Sequence, residues 1–261
     1  MNSLLEHLPF RIGTTSYIIP DEIIPNVRFL ADKVRDVELV LFDVPDFSNL
    51  PSQDQIMELK KIASASDLTY TVHLPLDLRF SADEKAADIS INKAAQVIHL
   101  MQDLDPWAFI LHLDAHSIPL DMNKPFKKIW IDQSIASLKK LADQVGWSVP
   151  LAVENLENYP PEWNDQVLQE IPYSHCIDIG HLWLQKLDPL PYLETHLENT
   201  RVIHLHGIGT RDHQSLKYMK RQEISLILKK LIEKYQGVVT LEIFSQPDLE
   251  SSLKILLECL K

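Results

Sequence analysis

Glycine and cysteine are scarce: six and two, respectively, in 261 residues. With so little glycine there is no G-x-G-x-x-G and no G-x-x-x-x-G-K-[ST]. Neither a Rossmann nor a P-loop phosphate cradle is therefore expected. The two cysteines, Cys176 and Cys259, exclude a disulfide framework and fit a reducing compartment, so a cytoplasmic location is expected. No apolar run approaches the ~18 residues of a membrane helix, and no membrane partner is expected. Met1 to Phe10 carries an acid and a proline and no cationic start, so it does not read as a signal peptide. Basic residues are outnumbered, 25 Lys and Arg against 37 Asp and Glu, for a formal net charge of −12. Such a chain repels nucleic acid on average, although cations bound in a cleft can reverse the sign locally.

Hydrophobic content of 45% and charged content of 24% are ordinary for a globular chain. Short β-branched or apolar runs alternate with stretches of helical spacing. Strands are expected at Phe10–Thr15, Val37–Asp43, Thr69–Leu74, Ala108–Leu113, Val149–Glu154, His175–Ile179, Arg201–His206 and Val238–Ile243. Helices are expected at Asp21–Lys33, Ser52–Ala65, Ala82–Leu104, Lys124–Val145, Glu162–Gln169, Leu190–Glu198, Gln222–Tyr235 and Pro247–Leu260, with Ser52 and Ser81 as caps. The pattern and the length predict one α/β domain spanning residues 1–261, a single (β/α)8 TIM barrel of the usual size of about 250 residues. An open doubly wound sheet is the alternative. It is disfavoured because no Gly-rich turn follows the first strand and no composition shift marks a second domain.

In such a barrel, catalytic groups gather at the C-terminal ends of the strands. The third strand delivers His73 there, and the fourth His112 and Asp114. The fifth delivers Glu154, the sixth Asp178 and then His181, the seventh His204 and His206, and the eighth Glu242. The loop after the seventh strand adds Asp212 and His213. A lone histidine at a strand end is usually a hydrogen-bonded rim residue. Unpaired carboxylates in apolar strands, such as Glu154 and Glu242, are costly. Few lysines or arginines lie near these strand ends, so divalent cations are the natural partners. Imidazole and carboxylate ligands without thiolates suit Zn²⁺ first, with Mn²⁺ or Fe²⁺ as alternatives.

This ordered set, His73, His112, Glu154, Asp178-x-x-His181, His204, Asp212-His213 and Glu242, resembles the xylose isomerase-like superfamily, and its endonuclease IV branch in particular. The resemblance implies two or three metal ions. His73 and His112 would hold the first, with Glu154 bridging to a second completed by Asp178, His204 and Glu242. His181, Asp212 and His213 would hold a third. The endonucleases have Asp-x-His where Asp212 and His213 are adjacent here, which puts Asp212 in doubt. His206 stands where they tend to carry Asn or Asp, and is expected to be a ligand or a substrate contact.

The segments Phe10–Pro20, Pro25–Leu30, Val37–Phe42 and Thr69–Leu78 are similar to the cobamide-remodelling hydrolases of the same superfamily. That similarity implies hydrolysis of the phosphoester between phosphate and ribose in the nucleotide loop of a B12-type corrinoid. Glu154 and Glu242 are expected to carry the reaction. Tyr17, after the first strand, and Trp183 are candidate substrate contacts; Trp163 or Trp183 would stack on a flat ligand. The alternatives are a DNA-repair endonuclease, a one-metal sugar isomerase or epimerase in which the two glutamates move protons, and a non-catalytic corrinoid or metal carrier. His7, His99, His175 and His196 fall outside the strand-end rim and are expected to be structural or solvated. Cys176 is expected to be a small buried apolar residue. Lys217–Arg221 reads as a solvated face that could attract a phosphate.

Overall fold

A computed structural model describes residue 5 and residues 7–114 and 124–261; residues 1–4 and 6 of the N-terminal stretch lie outside it. The strands are β1 (Arg11–Thr15), β2 (Asp36–Val40), β3 (Asp43–Val44), β4 (Phe47–Ser48), β5 (Thr69–His73), β6 (Phe109–His112), β7 (Leu151–Glu154), β8 (Ser174–Asp178), β9 (Thr200–Leu205) and β10 (Val238–Leu241). All but β3 and β4 run parallel and close into an eight-stranded barrel. β1 pairs with both β2 and β10, so no edge remains and the open sheet is excluded. The surrounding helices are α1 (Ile23–Leu30), α2 (Gln53–Ser66), α3 (Glu84–Met101), α4 (Lys124–Val145), α5 (Glu162–Leu168), α6 (Ile179–Leu184), α7 (Pro189–His196), α8 (Arg221–Lys234) and α9 (Gln246–Cys259). Among the described residues, no helix is long and apolar enough to cross a membrane.

Local chemistry sets several boundaries that the periodicity misses. The second barrel strand stops at Val40, short of the expected Asp43, because Asn49 captures the chain. Its Oδ1 accepts the Phe42 N–H and its Nδ2 donates to the Val40 carbonyl. The next residues form a small antiparallel hairpin of β3 with β4. α1 begins at Ile23 because Asn26 holds the preceding turn, accepting the N–H groups of Ile18 and Ile19 and donating to the Ile19 and Asp21 carbonyls. Ser52 caps α2 in a reciprocal box with Gln55. α3 is capped by Asp83, whereas the expected cap Ser81 donates to the Asp114 carbonyl. α6 was not expected. It forms because Asp178, at the end of β8, accepts the His181 N–H.

Alternation along each strand sorts the side chains. Phe109, Leu111, Val153, Ile177 and Ile203 belong to the large core beneath the helices. Ala108, Ile110, Ala152, Cys176 and Val202 form a separate small cluster inside the barrel. The residue two further along each of those strands points the same way, one layer nearer the mouth. Those residues are His112, Glu154, Asp178 and His204.

Candidate metal centre

Overlapping donor groups stand at the mouth: His73, His112 and Glu154; Glu154, Asp178, His204 and Glu242; Asp178, His181, His206 and His213; and, one layer deeper, Glu154 and His204 with Cys176. Within each group, ligand atoms lie within 4.8 Å of one another. Glu154 Oε2 is 3.3 Å from His73 Nε2 and 3.1 Å from His112 Nε2. His204 Nδ1 is 3.2 Å from Glu242 Oε2, 3.5 Å from Glu154 Oε2 and 3.7 Å from Asp178 Oδ2. His213 Nε2 is 3.2 Å from Glu242 Oε2. Ligand atoms about 3.3–3.6 Å apart are what a tetrahedral ion with bonds of about 2.0–2.2 Å requires.

The outer nitrogens of the rings settle which lone pairs face inward. His73 Nδ1 donates to the Leu74 carbonyl at 2.9 Å, which leaves the Nε2 lone pair for the site. His181 Nδ1 donates to the Asn155 carbonyl at 2.9 Å. His204 Nε2 donates to Glu38 Oε2 at 2.9 Å, leaving the Nδ1 lone pair among Glu154, Asp178 and Glu242. Asn155 and Asp178 exchange hydrogen bonds, Nδ2 to the Asp178 carbonyl and the Asp178 N–H to Oδ1, which locks the ends of β7 and β8 together. His206 Nδ1 accepts the His213 N–H. Its ring fills the space that a Cβ at Gly180 would occupy, 2.1 Å away, so only glycine fits there.

Glu154 Oε1, Asp178 Oδ2, His204 Nδ1, His206 Nε2 and Glu242 Oε2 are buried without a well-formed hydrogen bond. Buried groups are rarely left so, and here they converge. Burial pushes the Glu154 carboxyl up, but His112 and His204 more than offset it and hold Glu154 well below the usual carboxylate range. Glu242 is likewise held down: burial and Glu154 oppose, and His204 and His213 prevail. Burial pulls His181 and His213 down, yet the carboxylates around them raise them to about 9 and about 10. The cluster therefore calls for positive charge. Among the described residues, no lysine or arginine is paired with Glu154, Asp178 or Glu242. Divalent cations fit this donor set, displacing the ring protons.

Not every expected residue joins the groups. Asp212 is 40% exposed and lies outside them, 3.2 Å from the outer nitrogen of His213. Asp114 also lies outside them, its Oδ1 3.3 Å from Arg79. Trp163 is buried against Trp130 and Tyr159 and offers no face to a ligand. Trp183 is half-buried against the outer core. Tyr17 accepts a hydrogen bond from Asn49 Nδ2 and lines a cavity of about 610 Å³ between the β1–α1 turn and the hairpin. A second cleft of about 530 Å³ joins Tyr17 to Phe244, whose ring lies 5.6 Å from that of His213. In the Lys217–Arg221 run, Lys220 pairs with Glu223 and Arg221 with Glu258. Sequence reasoning missed Glu38, although a carboxylate inside Val37-Glu-Leu-Val was the same signal that singled out Glu154 and Glu242.

The fold neighbours match this architecture over nearly their full lengths. A D-tagatose 3-epimerase-like protein superposes with a TM-score of 0.78 at 19% identity, covering 96% of this chain and 97% of its own. Endonuclease IV from Thermus thermophilus gives 0.73 at 15%, covering 96% and 98%. An L-ribulose 3-epimerase gives 0.72 at 18%, covering 96% and 94%. No curated protein matches the chain by sequence. The profile of one family, the xylose isomerase-like TIM barrels, matches residues 33–261, and the chain belongs to that family.

Proposed function

We propose that this protein is a metal-dependent phosphoester hydrolase acting on the nucleotide loop of a cobamide. The observation that carries the reading is the sharing of carboxylates. Glu154 links the group of His73 and His112 to that of Asp178, His204 and Glu242, Asp178 links the latter to His181, His206 and His213, and Glu242 lies against both His204 and His213. Shared carboxylates hold ions side by side, the arrangement suited to in-line displacement at phosphorus. Bound there, two or three divalent ions, Zn²⁺ first, would polarise the phosphate and acidify a water.

The chain's own contribution is placement. Glu38, Leu74 and Asn155 accept the outer N–H groups of His204, His73 and His181, which leaves the other ring nitrogen of each to serve as a ligand to a bound ion. Glu154 and Glu242 keep their negative charge in a buried site because imidazoles surround them. Glu242, 7% exposed at the mouth, is placed to receive a proton from the attacking water. The clefts along Tyr17 and Phe244 give an extended ligand room beside the metals. The stretches Phe10–Pro20 and Thr69–Leu78 resemble the cobamide hydrolases, which is what favours a corrinoid over DNA. The formal charge of −12 is a weaker argument in the same direction.

One second reading has its own support. Glu154, Asp178, His204 and Glu242 alone form a complete four-ligand group, enough for a one-metal epimerase. That reading leaves His73, His112, His181 and His213 without a task. A metal-loaded preparation offered an intact cobamide, an abasic-site duplex and a ketose panel separates the cases. Release of the α-ribazole nucleoside, with phosphate left on the corrinoid, is expected. DNA nicking or ketose interconversion with an untouched cobamide overturns the reading.

A further inference from the structure

β8 also carries a histidine on its outer face. His175, its second residue, sits at a register irregularity against β9, between His175 and Cys176. It turns away from the barrel interior, where Cys176 packs. Two residues from the outer helices meet it: Asp165 of α5 and His196, the last residue of α7. One ligand atom from each of the three lies within 4.8 Å of the others. His196 Nε2 is 3.4 Å from Asp165 Oδ2, the edge length of a tetrahedral site with bonds of about 2.0–2.1 Å. The rings of His175 and His196 have centroids 4.7 Å apart, tilted by 49°. The second oxygen of Asp165 accepts the Tyr192 hydroxyl at 2.9 Å, which fixes the carboxylate's orientation.

The His175 ring is held in place by packing: it is 6% exposed and meets the Tyr192 ring edge-on, with centroids 6.3 Å apart. A divalent cation at this point would take a lone pair from each ring and one from the Asp165 carboxylate.

We infer that Asp165, His175 and His196 form a second metal site, outside the barrel wall, for a borderline first-row divalent ion such as Zn²⁺. The ligand set is two imidazoles and one carboxylate, which selects against Ca²⁺ and Mg²⁺. Asp165 and His196 are each about one-sixth exposed, so a water completes the fourth position from the solvent side. The ion ties three separate segments, β8, α5 and α7, at one point. Its role is to clip the outer helices to the strand that carries Asp178 and Cys176. The inference does not depend on the reaction proposed for the mouth.

The test uses the full chain, stripped with chelator and then equilibrated with buffered Zn²⁺ alone. Zinc per chain is measured by elemental analysis, and the zinc-induced rise in Tm is followed in parallel. His196→Gln, which keeps a polar side chain at a partly exposed position, is expected to bind one Zn²⁺ fewer than the wild type and to show a smaller rise in Tm. Equal zinc content in the wild type and the folded variant overturns the inference. Should the variant fail to fold, anomalous scattering from wild-type crystals at saturating Zn²⁺ decides. A peak between His175, His196 and Asp165 supports the site. Its absence, or a water there instead, overturns it.

Discussion

Asp36 on β2 and Glu154 on β7 both lie inside the barrel and are both removed from water, at 0% and 1% exposure. Burial drives either carboxyl toward its neutral form. Their neighbours then decide differently. Around Glu154 stand His112 and His204, and the acid is held well below the ordinary range. Asp36 has the Thr69 hydroxyl on Oδ2 and no hydrogen bond on Oδ1. Burial raises it to about 7, the hydroxyl offsetting only part of the cost. The mouth thus keeps its buried charge with the imidazoles around it. Around Asp36, the threonine hydroxyls and Arg11 offset less than burial costs, and a proton makes up the difference.

The largest effect should come from breaking the charge at the mouth. Glu154→Gln is expected to lower turnover by about 10²–10³-fold, the scale lost with a group that stabilises transition-state charge, and to reduce metal content. Glu242→Gln should fall as far in turnover. Near wild-type kcat with full metal content in either variant would mean that the mouth does not depend on these charges. The cation side of the comparison is read by elemental analysis of protein purified without chelator. At least two divalent ions per chain are expected at the mouth. A reproducible total of one or fewer, with activity retained, sinks the multinuclear arrangement.

These residues were legible in the sequence because each chemistry-bearing side chain ends an apolar run. Period-2 alternation then aims all of them at one rim. Glu38 escaped because it lies in the middle of its strand and not at the C-terminal end, and the partner that gives it meaning, His204, is 166 residues away. His175 and His196 escaped for a related reason. Their grouping depends on where the short helices α5 and α7 lie against β8, which no local period encodes. The resemblance put Asp212 with His213 on one metal, and their adjacency, in place of Asp-x-His, already put Asp212 in doubt; with His213 at φ 50°, Asp212 lies against the Nδ1 side of that ring, at 3.2 Å, and not in the donor groups.

A smaller effect tests whether Glu38 serves the mouth as a positioning residue. It touches the site only through His204 Nε2. Glu38→Gln keeps the size but can offer its amide N–H to that nitrogen, which favours the wrong tautomer. A loss of roughly 10–100-fold in metal affinity or activity is expected. Glu38→Asp should fall between Glu38→Gln and the wild type. A merely structural role would lower Tm in both variants without weakening metal affinity, and that outcome removes Glu38 from the site.

The smallest effect lies with Asp36, and it concerns stability alone. Its folded-state value is raised to about 7, against about 4 in an unfolded chain. The folded state therefore binds this proton more tightly. The resulting stabilisation is complete below about pH 4 and is lost as pH rises through 7, a change on the order of 4 kcal/mol in all. Asp36→Asn mimics the neutral acid at every pH, with an amide that can still accept from Thr69. Measured by denaturant unfolding of metal-free protein, the variant should gain on the wild type as pH goes from 5 to 8. Other groups titrate in the same window but cancel in the difference between the two proteins. A gap that stays constant with pH, or that moves in the wild type's favour, would show that Asp36 is ionised in the fold. The contrast with Glu154 would then reduce to one of neighbours without a change of protonation.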